Sequence, residues 1–348
     1  MKQKILLALC LIPFLLMLSA GLILKELSSP LDLPQEQIID VNFGESVYRV
    51  ADNLHNMEVL SWPRLWVWYA RLFDMTAIKA GEYRIDPQMS PLQILDDMNK
   101  ARVIEYQVTL VEGWTSADAI RALQNTPGIV STIAVDSHES ILSAVGADQR
   151  FEHSEGLFFP DTYRYTRGSR DRDILRRAYQ RMMRELEDAW RQVDGRNLPY
   201  SNDYEVLIMA SIIERETAVD AERDKIAGVF VNRLQKGMRL QTDPTVIYGM
   251  GDSFQGRITR RDLRTPTPYN TYTHHGLPPT PIALPGRASL QAAVNPRPTD
   301  KLYFVGRGDG HHHFSATLEE HNKAVRRYQL SRPDDYRSTP LPQTQNNE

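Results

Sequence analysis

The sequence predicts an α+β protein in three parts: an N-terminal transmembrane helix, a small α/β module and a larger mixed α+β domain. Three observations carry this. Residues 5–24 form an uncharged apolar run. Between residues 37 and 111, short alternating segments interleave with short amphipathic ones. From 169 onward a long amphipathic pattern precedes two more helical segments and a stretch rich in Pro, Gly, Thr and Tyr. The chain has 348 residues, 41% apolar and 24% charged, which suits two packed domains and excludes a disordered or collagen-like polymer.

At 1.5 Å per residue, the run over 5–24 is long enough for a hydrocarbon core of roughly 30 Å. Lys2 and Lys4 lie ahead of it and Lys25 and Glu26 follow, so a cytoplasmic N-terminus and an exported remainder are expected. Ser19-Ala20-Gly21 would also suit a signal peptidase. However, the run exceeds a typical signal core, and Leu22-Ile23-Leu24 follows in place of polar chain, which favours an uncleaved anchor. Net charge is −3, with +2 in residues 1–26, leaving −5 on the exported portion; nucleic-acid binding is therefore not expected. Cys10, the single cysteine, lies within the apolar run. Disulfide, zinc-thiolate and cysteine-nucleophile chemistry are thereby excluded from the exported portion.

The expected organisation is a cytoplasmic start at 1–4, the anchor at 5–24, a linker at 25–39, the small module at 40–107, the large domain at 108–330 and a disordered tail at 331–348. Gln37-Ile-Ile-Asp-Val41 alternates as a strand, and Ser46 is placed to cap a helix buried through Val47, Val50, Ala51 and Leu54. A second helix opens at Ser61 and Pro63, with Leu65, Trp68, Tyr69 and Leu72 as its expected inner stripe. Strands at 79–85 and 103–111 flank a helix at 91–98. In the large domain, 169–193 reads as one long helix with a charged outer face, followed by helices at 204–217 and 221–234. Residues 237–310 read as mostly loop with short strands, the kind of segment in which sites are built.

Val206-Leu-Ile-Met-Ala-Ser-Ile-Ile213 has almost no polarity and runs into Glu214-Arg215-Glu216-Thr217. A carboxyl carried by so buried a helix is a plausible general acid, because desolvation raises its pKa. Spacing alone does not choose between Glu214 and Glu216. In Gln241-Thr-Asp-Pro-Thr-Val-Ile-Tyr-Gly249, Gln241 and Asp243 offer hydrogen-bonding groups for a polyhydroxy or N-acetyl substrate, although Thr242-Asp243-Pro244 also reads as a capped turn. Tyr269 and Asn270, in Pro268-Tyr-Asn-Thr-Tyr272, add an aromatic face and an amide. Consecutive His311, His312 and His313 would alternate between strand faces, which disfavours a converging metal site.

These blocks, with Glu155-Gly-Leu-Phe-Phe-Pro-Asp-Thr-Tyr163, Val231-Asn-Arg-Leu234 and Gly276-Leu-Pro-Pro279, resemble the endolytic murein transglycosylases of the MltG/YceG-like family from Gly44 to about Tyr328. The resemblance implies that 40–107 is a LysM-like glycan-binding module and 108–330 a catalytic domain. It implies nonhydrolytic cleavage of the MurNAc–GlcNAc β-1,4 bond of peptidoglycan, leaving 1,6-anhydro-MurNAc ends and limiting nascent strand length. By the same resemblance Glu214 is the catalytic acid, with Glu216, Gln241, Asp243, Tyr269 and Asn270 as supporting or substrate-binding groups. No cofactor and no metal are implied. Peptidoglycan strands and the inner membrane are the implied partners, with peptidoglycan synthases as candidates, and the catalytic domain is expected in the periplasm. The alternative is a non-catalytic, membrane-anchored peptidoglycan-binding scaffold.

Overall fold

The computed structural model describes residue 14 and residues 17–134 and 137–330. Most of the apolar run and the tail at 331–348 lie outside these residues. Residues 17–28 form a helix, α1. Among the described residues no helix is long and apolar enough to cross a membrane. The protein is mixed α+β, and the chain divides into two compact units, one built from the residues through Gln107 with 127–129 and 164–169, the other from the remainder.

In the first unit, β1 (Gln37–Val41) pairs antiparallel with β2 (Gly81–Ile85), and α2 (Val47–Asn56), α3 (Pro63–Leu72) and α4 (Pro91–Asn99) complete it. Ser46 caps α2 by accepting from the Arg49 N–H at 3.3 Å, and Val47, Val50, Ala51 and Leu54 are its buried face, both as the spacing predicts. In α3 the expected stripe is displaced. Trp66, Val67 and Ala70 are buried, whereas Trp68 and Leu72 are more than half exposed. A hydrogen bond from Trp66 Nε1 to the Pro91 carbonyl at 2.8 Å fixes which aromatic goes inward, because a buried indole N–H needs an acceptor. Residues 25–39, expected as a linker, contribute Leu27 to the core, with Leu31 and Leu33 packed against it.

The second unit contains the helices that carry the site. Along the chain lie α5 (Ser116–Gln124), α6 (His138–Val145) and α7 (Asp171–Trp190), while the short strands β3 (Tyr106–Thr109), β4 (Ile129–Val130), β5 (Thr162–Tyr165) and β6 (Ser169–Arg170) each have residues in both units. There follow α8 (Asp203–Glu216), α9 (Asp220–Gln235), α10 (Asp243–Met250) and α11 (Arg287–Val294), then the antiparallel pair β7 (Tyr303–Gly306) and β8 (His312–Ser315), and α12 (Leu318–Val325). Ile174, Leu175, Ala178, Tyr179, Met182, Leu186 and Ala189 form the buried stripe of α7, as its spacing predicts. Buried α8 packs against α7, α9, α10 and α11. Two helices, α10 and α11, occupy the segment expected to be mostly loop. Proline in the first turn of α10 starts the helix, since that N–H has no intrahelical partner to lose.

Candidate active site

Helix α8 is capped by Asn202, whose side chain accepts from the Glu205 N–H at 3.0 Å, and every residue from Val206 to Ile213 is buried. Within it, Ser211 Oγ donates to the Ile208 carbonyl at 2.7 Å and accepts from the Ile282 N–H at 3.0 Å. The helix is thus pinned to the 282–286 segment one turn before its charged end. Successive side chains on a helix are about 100° apart, so Glu214 and Glu216 leave its last turn on nearly opposite sides.

Glu214 turns inward. Its side chain is 4% exposed, and Oε1 accepts from Arg223 Nη2 at 3.1 Å while Oε2 accepts from the Gly286 N–H at 2.9 Å. Arg223, itself buried, also pairs with Asp220 and donates from Nε to Ser289 Oγ at 3.1 Å. Glu112 packs over the same point: a Cβ on Gly286 would lie 1.8 Å from Glu112 Oε1. Burial, followed by the charge of Glu214, pushes the Glu112 carboxyl above its usual range. Glu214 lines neither cavity described below.

Glu216 faces an open cleft of about 640 Å³, lined also by Gln241, Asp243, Tyr272, Arg233 and Tyr303. Thr242 Oγ1 donates to Glu216 Oε1. The Glu216 pKa is pushed up to about 7, chiefly by burial and secondarily by the charge of Asp243, with the Thr242 bond opposing. A carboxyl poised there holds a proton at neutral pH and can release it.

The opposite wall follows from the chain between α9 and α10. Arg233 lies under it, donating to the carbonyls of Arg239 at 3.0 Å and Leu240 at 2.9 Å and to Gln241 Oε1 at 3.2 Å. Its guanidinium also lies 4.9 Å from the Tyr303 ring centroid. Gln241 adopts φ +53°, a left-handed conformation that costs a non-glycine residue of order 1 kcal/mol. Its N–H donates to the Thr271 carbonyl at 3.2 Å, and the Thr242 N–H to Thr271 Oγ1 at 3.1 Å. This bend aims Thr242 at Glu216 and begins α10 at Asp243. Tyr272 Oη donates to Asp243 Oδ1 at 2.6 Å and fixes that carboxylate.

The structure therefore brings Glu216, Gln241 and Asp243 together and separates the other expected site residues from them. Tyr269 faces a second cavity and hydrogen-bonds Thr280 through its hydroxyl at 2.9 Å. Asn270 is fully buried and staples its own loop, donating to the carbonyls of Asp262, Leu263 and Thr265 and accepting from the Tyr272 N–H. Sequence reasoning missed Thr242, Tyr272 and Arg233 as working groups. All three stood in motifs already singled out, but only the tertiary fold shows that the motifs meet. His312 pairs with Glu222, at 2.8 Å from Nδ1 to Oε2, and no group of three or more His, Cys, Asp or Glu residues suited to a metal occurs among the described residues.

Residues 39–327 match the model of the YceG-like family. The chain is 30% identical over 321 residues to an endolytic murein transglycosylase of Bacillus subtilis (strain 168), covering 87% of this chain and 88% of that one. It is 26% identical to an endolytic murein transglycosylase of Streptococcus pneumoniae serotype 2, covering 90% of this chain and 63% of that protein. A crystal structure of a putative yceG-like protein from Listeria monocytogenes shares 29% identity, with a TM-score of 0.49 over 83% of this chain and 99% of that one. The match over 39–327 includes both carboxyl-bearing ends of the cleft, Glu216 and Asp243, and the chain belongs to the YceG-like family.

Proposed function

We propose that the protein is an endolytic lytic transglycosylase of peptidoglycan, anchored in the inner membrane by residues 5–24 with both units in the periplasm. Family membership and the activity named for its relatives support the reaction. The observation that carries the mechanism is Glu216, one cleft-facing carboxyl with a pKa of about 7. Protonated Glu216 donates to the glycosidic oxygen as the C1–O bond of MurNAc breaks. The carboxylate left behind takes the proton of the C6 hydroxyl as O6 bonds to C1, closing the 1,6-anhydro ring and restoring the acid. No water enters, so no second carboxylate is needed to activate one. Asp243, held by Tyr272, keeps Glu216 protonated and offers an acceptor to the sugar. The order β1–α2–α3–β2 supports reading 40–107 as a LysM-like glycan-positioning module.

Resemblance assigns the acid to Glu214, whereas pairing and cleft position favour Glu216. Purified sacculi digested with the full-length chain and its Glu214→Gln and Glu216→Gln variants, with products read by mass spectrometry, separate the two. Glu216→Gln should lower anhydro-ended product by about 10²–10⁴-fold, while Glu214→Gln should act through lost stability and be partly recovered at low temperature. Full loss in folded Glu214→Gln with activity retained in Glu216→Gln would return the role to Glu214. Binding of sacculi without anhydro ends, even by wild type, would support the scaffold reading.

A further inference from the structure

A second cavity of about 730 Å³ lies on the other side of α10. The two cavities share a wall but no lining residue: Arg215, Pro244 and Tyr269 face this one, while their near neighbours Glu216, Asp243 and Tyr272 face the catalytic cleft. Its walls are aromatic. Trp114 and Phe254 contribute, and the rings of Tyr248 and Tyr269 meet edge to face at 4.9 Å. Its size is that of a pocket for a small organic ligand.

The floor is built. Glu155 is 3% exposed, and Oε1 accepts from the Ser116 N–H at 2.8 Å, Ser116 Oγ at 3.3 Å and the Gly156 N–H at 3.2 Å. Oε2 accepts from Tyr248 Oη at 3.1 Å. One carboxyl thus ties the start of α5 to α10, fixing Trp114 opposite Tyr248 without offering its own charge to a ligand. The rings of His138 and His153 meet at a tilt, 3.3 Å between centroids. Burial lowers the pKa of both, His153 to about 4, with the nearness of His138 contributing; at neutral pH they are uncharged. The Glu155 N–H donates to His153 Nδ1 at 3.2 Å, so neutral His153 carries its proton on Nε2 and can donate from that edge. Asp118 and Arg121 at the rim pair with each other at 3.2 Å. Aromatic faces beside the uncharged histidine edges match the CH faces, hydroxyls and acetamides of a sugar, and Arg215 and Asp252, which also line the cavity, offer a donor and an acceptor to the same groups.

We propose that the Trp114–Tyr248 cavity is a second saccharide subsite, seating a sugar of the same glycan strand beyond the shared wall from the bond that Glu216 cleaves. This rests on the proposed function for the identity of the strand. A strand held on both sides of α10 is cut at a set distance from the seated sugar.

The test uses the full-length chain in detergent, labelled with 5-fluorotryptophan, and chitohexaose, a peptide-free GlcNAc oligomer without muramic acid. The chain has five tryptophans, and the ¹⁹F resonance of Trp114 is assigned by its absence in Trp114→Phe. Chitohexaose should shift that resonance saturably. Ala117→Phe, which fills the cavity from the exposed start of α5, should raise the midpoint at least tenfold. A Trp114 resonance unmoved while other tryptophans saturate, a midpoint unchanged by Ala117→Phe, or a shift produced by a free stem tetrapeptide and not by chitohexaose would each overturn the proposal. The probe is read without cleavage, so failure here is distinct from an absence of anhydro ends in the sacculus digest.

Discussion

Asp243→Asn and Thr242→Val should move the alkaline limb of the pH–rate profile in opposite directions. In the proposed mechanism the proton donor is the protonated form of Glu216, so kcat/KM should fall as pH rises through its pKa of about 7. Compared with an ordinary carboxyl near 4.5, such a group at pH 7 presents on the order of 10² times more of the acid form. Burial is the largest cause of that elevation, and neither substitution alters it. Asp243→Asn keeps the bond from Tyr272 but deletes the negative charge that opposes ionisation, so the limb moves to lower pH. Thr242→Val keeps the backbone bond to Thr271 but removes the hydroxyl that stabilises the carboxylate, so the limb moves to higher pH. Each displacement should be about one pH unit, the scale of one charge-assisted hydrogen bond or one like-charge neighbour. The assay is the initial rate of anhydro-end release from pH 5 to 9 at fixed ionic strength. Limbs that move together, or that stay in place, would refute the placing of the titrating acid between these two residues.

Two further predictions concern the second cavity. Folding raises the Glu155 pKa from 4.5 to about 7 by burial, so its contribution to stability is fully present below about pH 4.5 and is lost as pH rises through 7, by up to about 3 kcal/mol. Urea denaturation should therefore show wild type losing more stability between pH 5 and 8 than Glu155→Gln, and equal slopes would contradict this. Gly156 has φ +79°, and a Cβ there would lie 2.4 Å from the Pro281 Cβ, a rigid ring that cannot yield. Gly156→Ala should cost about 2–4 kcal/mol from backbone strain and overpacking, read as a lowered denaturation midpoint.

Segments whose structure is set by local pattern were legible in the sequence. The Ser46 cap and the stripe of α7 needed only hydroxyl placement and a 3.6-residue period. In α3 apolar residues occur all round the helix, and an acceptor 25 residues away decides that Trp66 and not Trp68 is buried. Helix α10 was hidden for a different reason. Thr-Asp-Pro is equally the start of a turn and of a helix, and the bonds that select the helix come from Thr271, a loop nearly 30 residues on. In the site, the motifs were visible but their meeting was not.

The two glutamates show most clearly what spacing cannot decide. Each stands three and four residues from a buried pair on α8, so each has the same local claim to a desolvated carboxyl. Their difference lies in what meets opposite faces of one helical turn. On one face Arg223 and the Gly286 N–H take both oxygens of Glu214. On the other, Thr242 and the charge of Asp243 meet Glu216 at a cleft. The first arrangement makes the second effective. The Glu214 clamp and the Ser211–Ile282 bond hold the end of α8 where a helix would otherwise fray, which fixes the position from which Glu216 extends. Proton transfer depends steeply on such placement, and a fixed donor needs no reorganisation as the glycosidic bond breaks. On this argument Glu214→Gln should loosen Glu216 without changing its chemistry, raising the sensitivity of rate to temperature while leaving the alkaline limb in place.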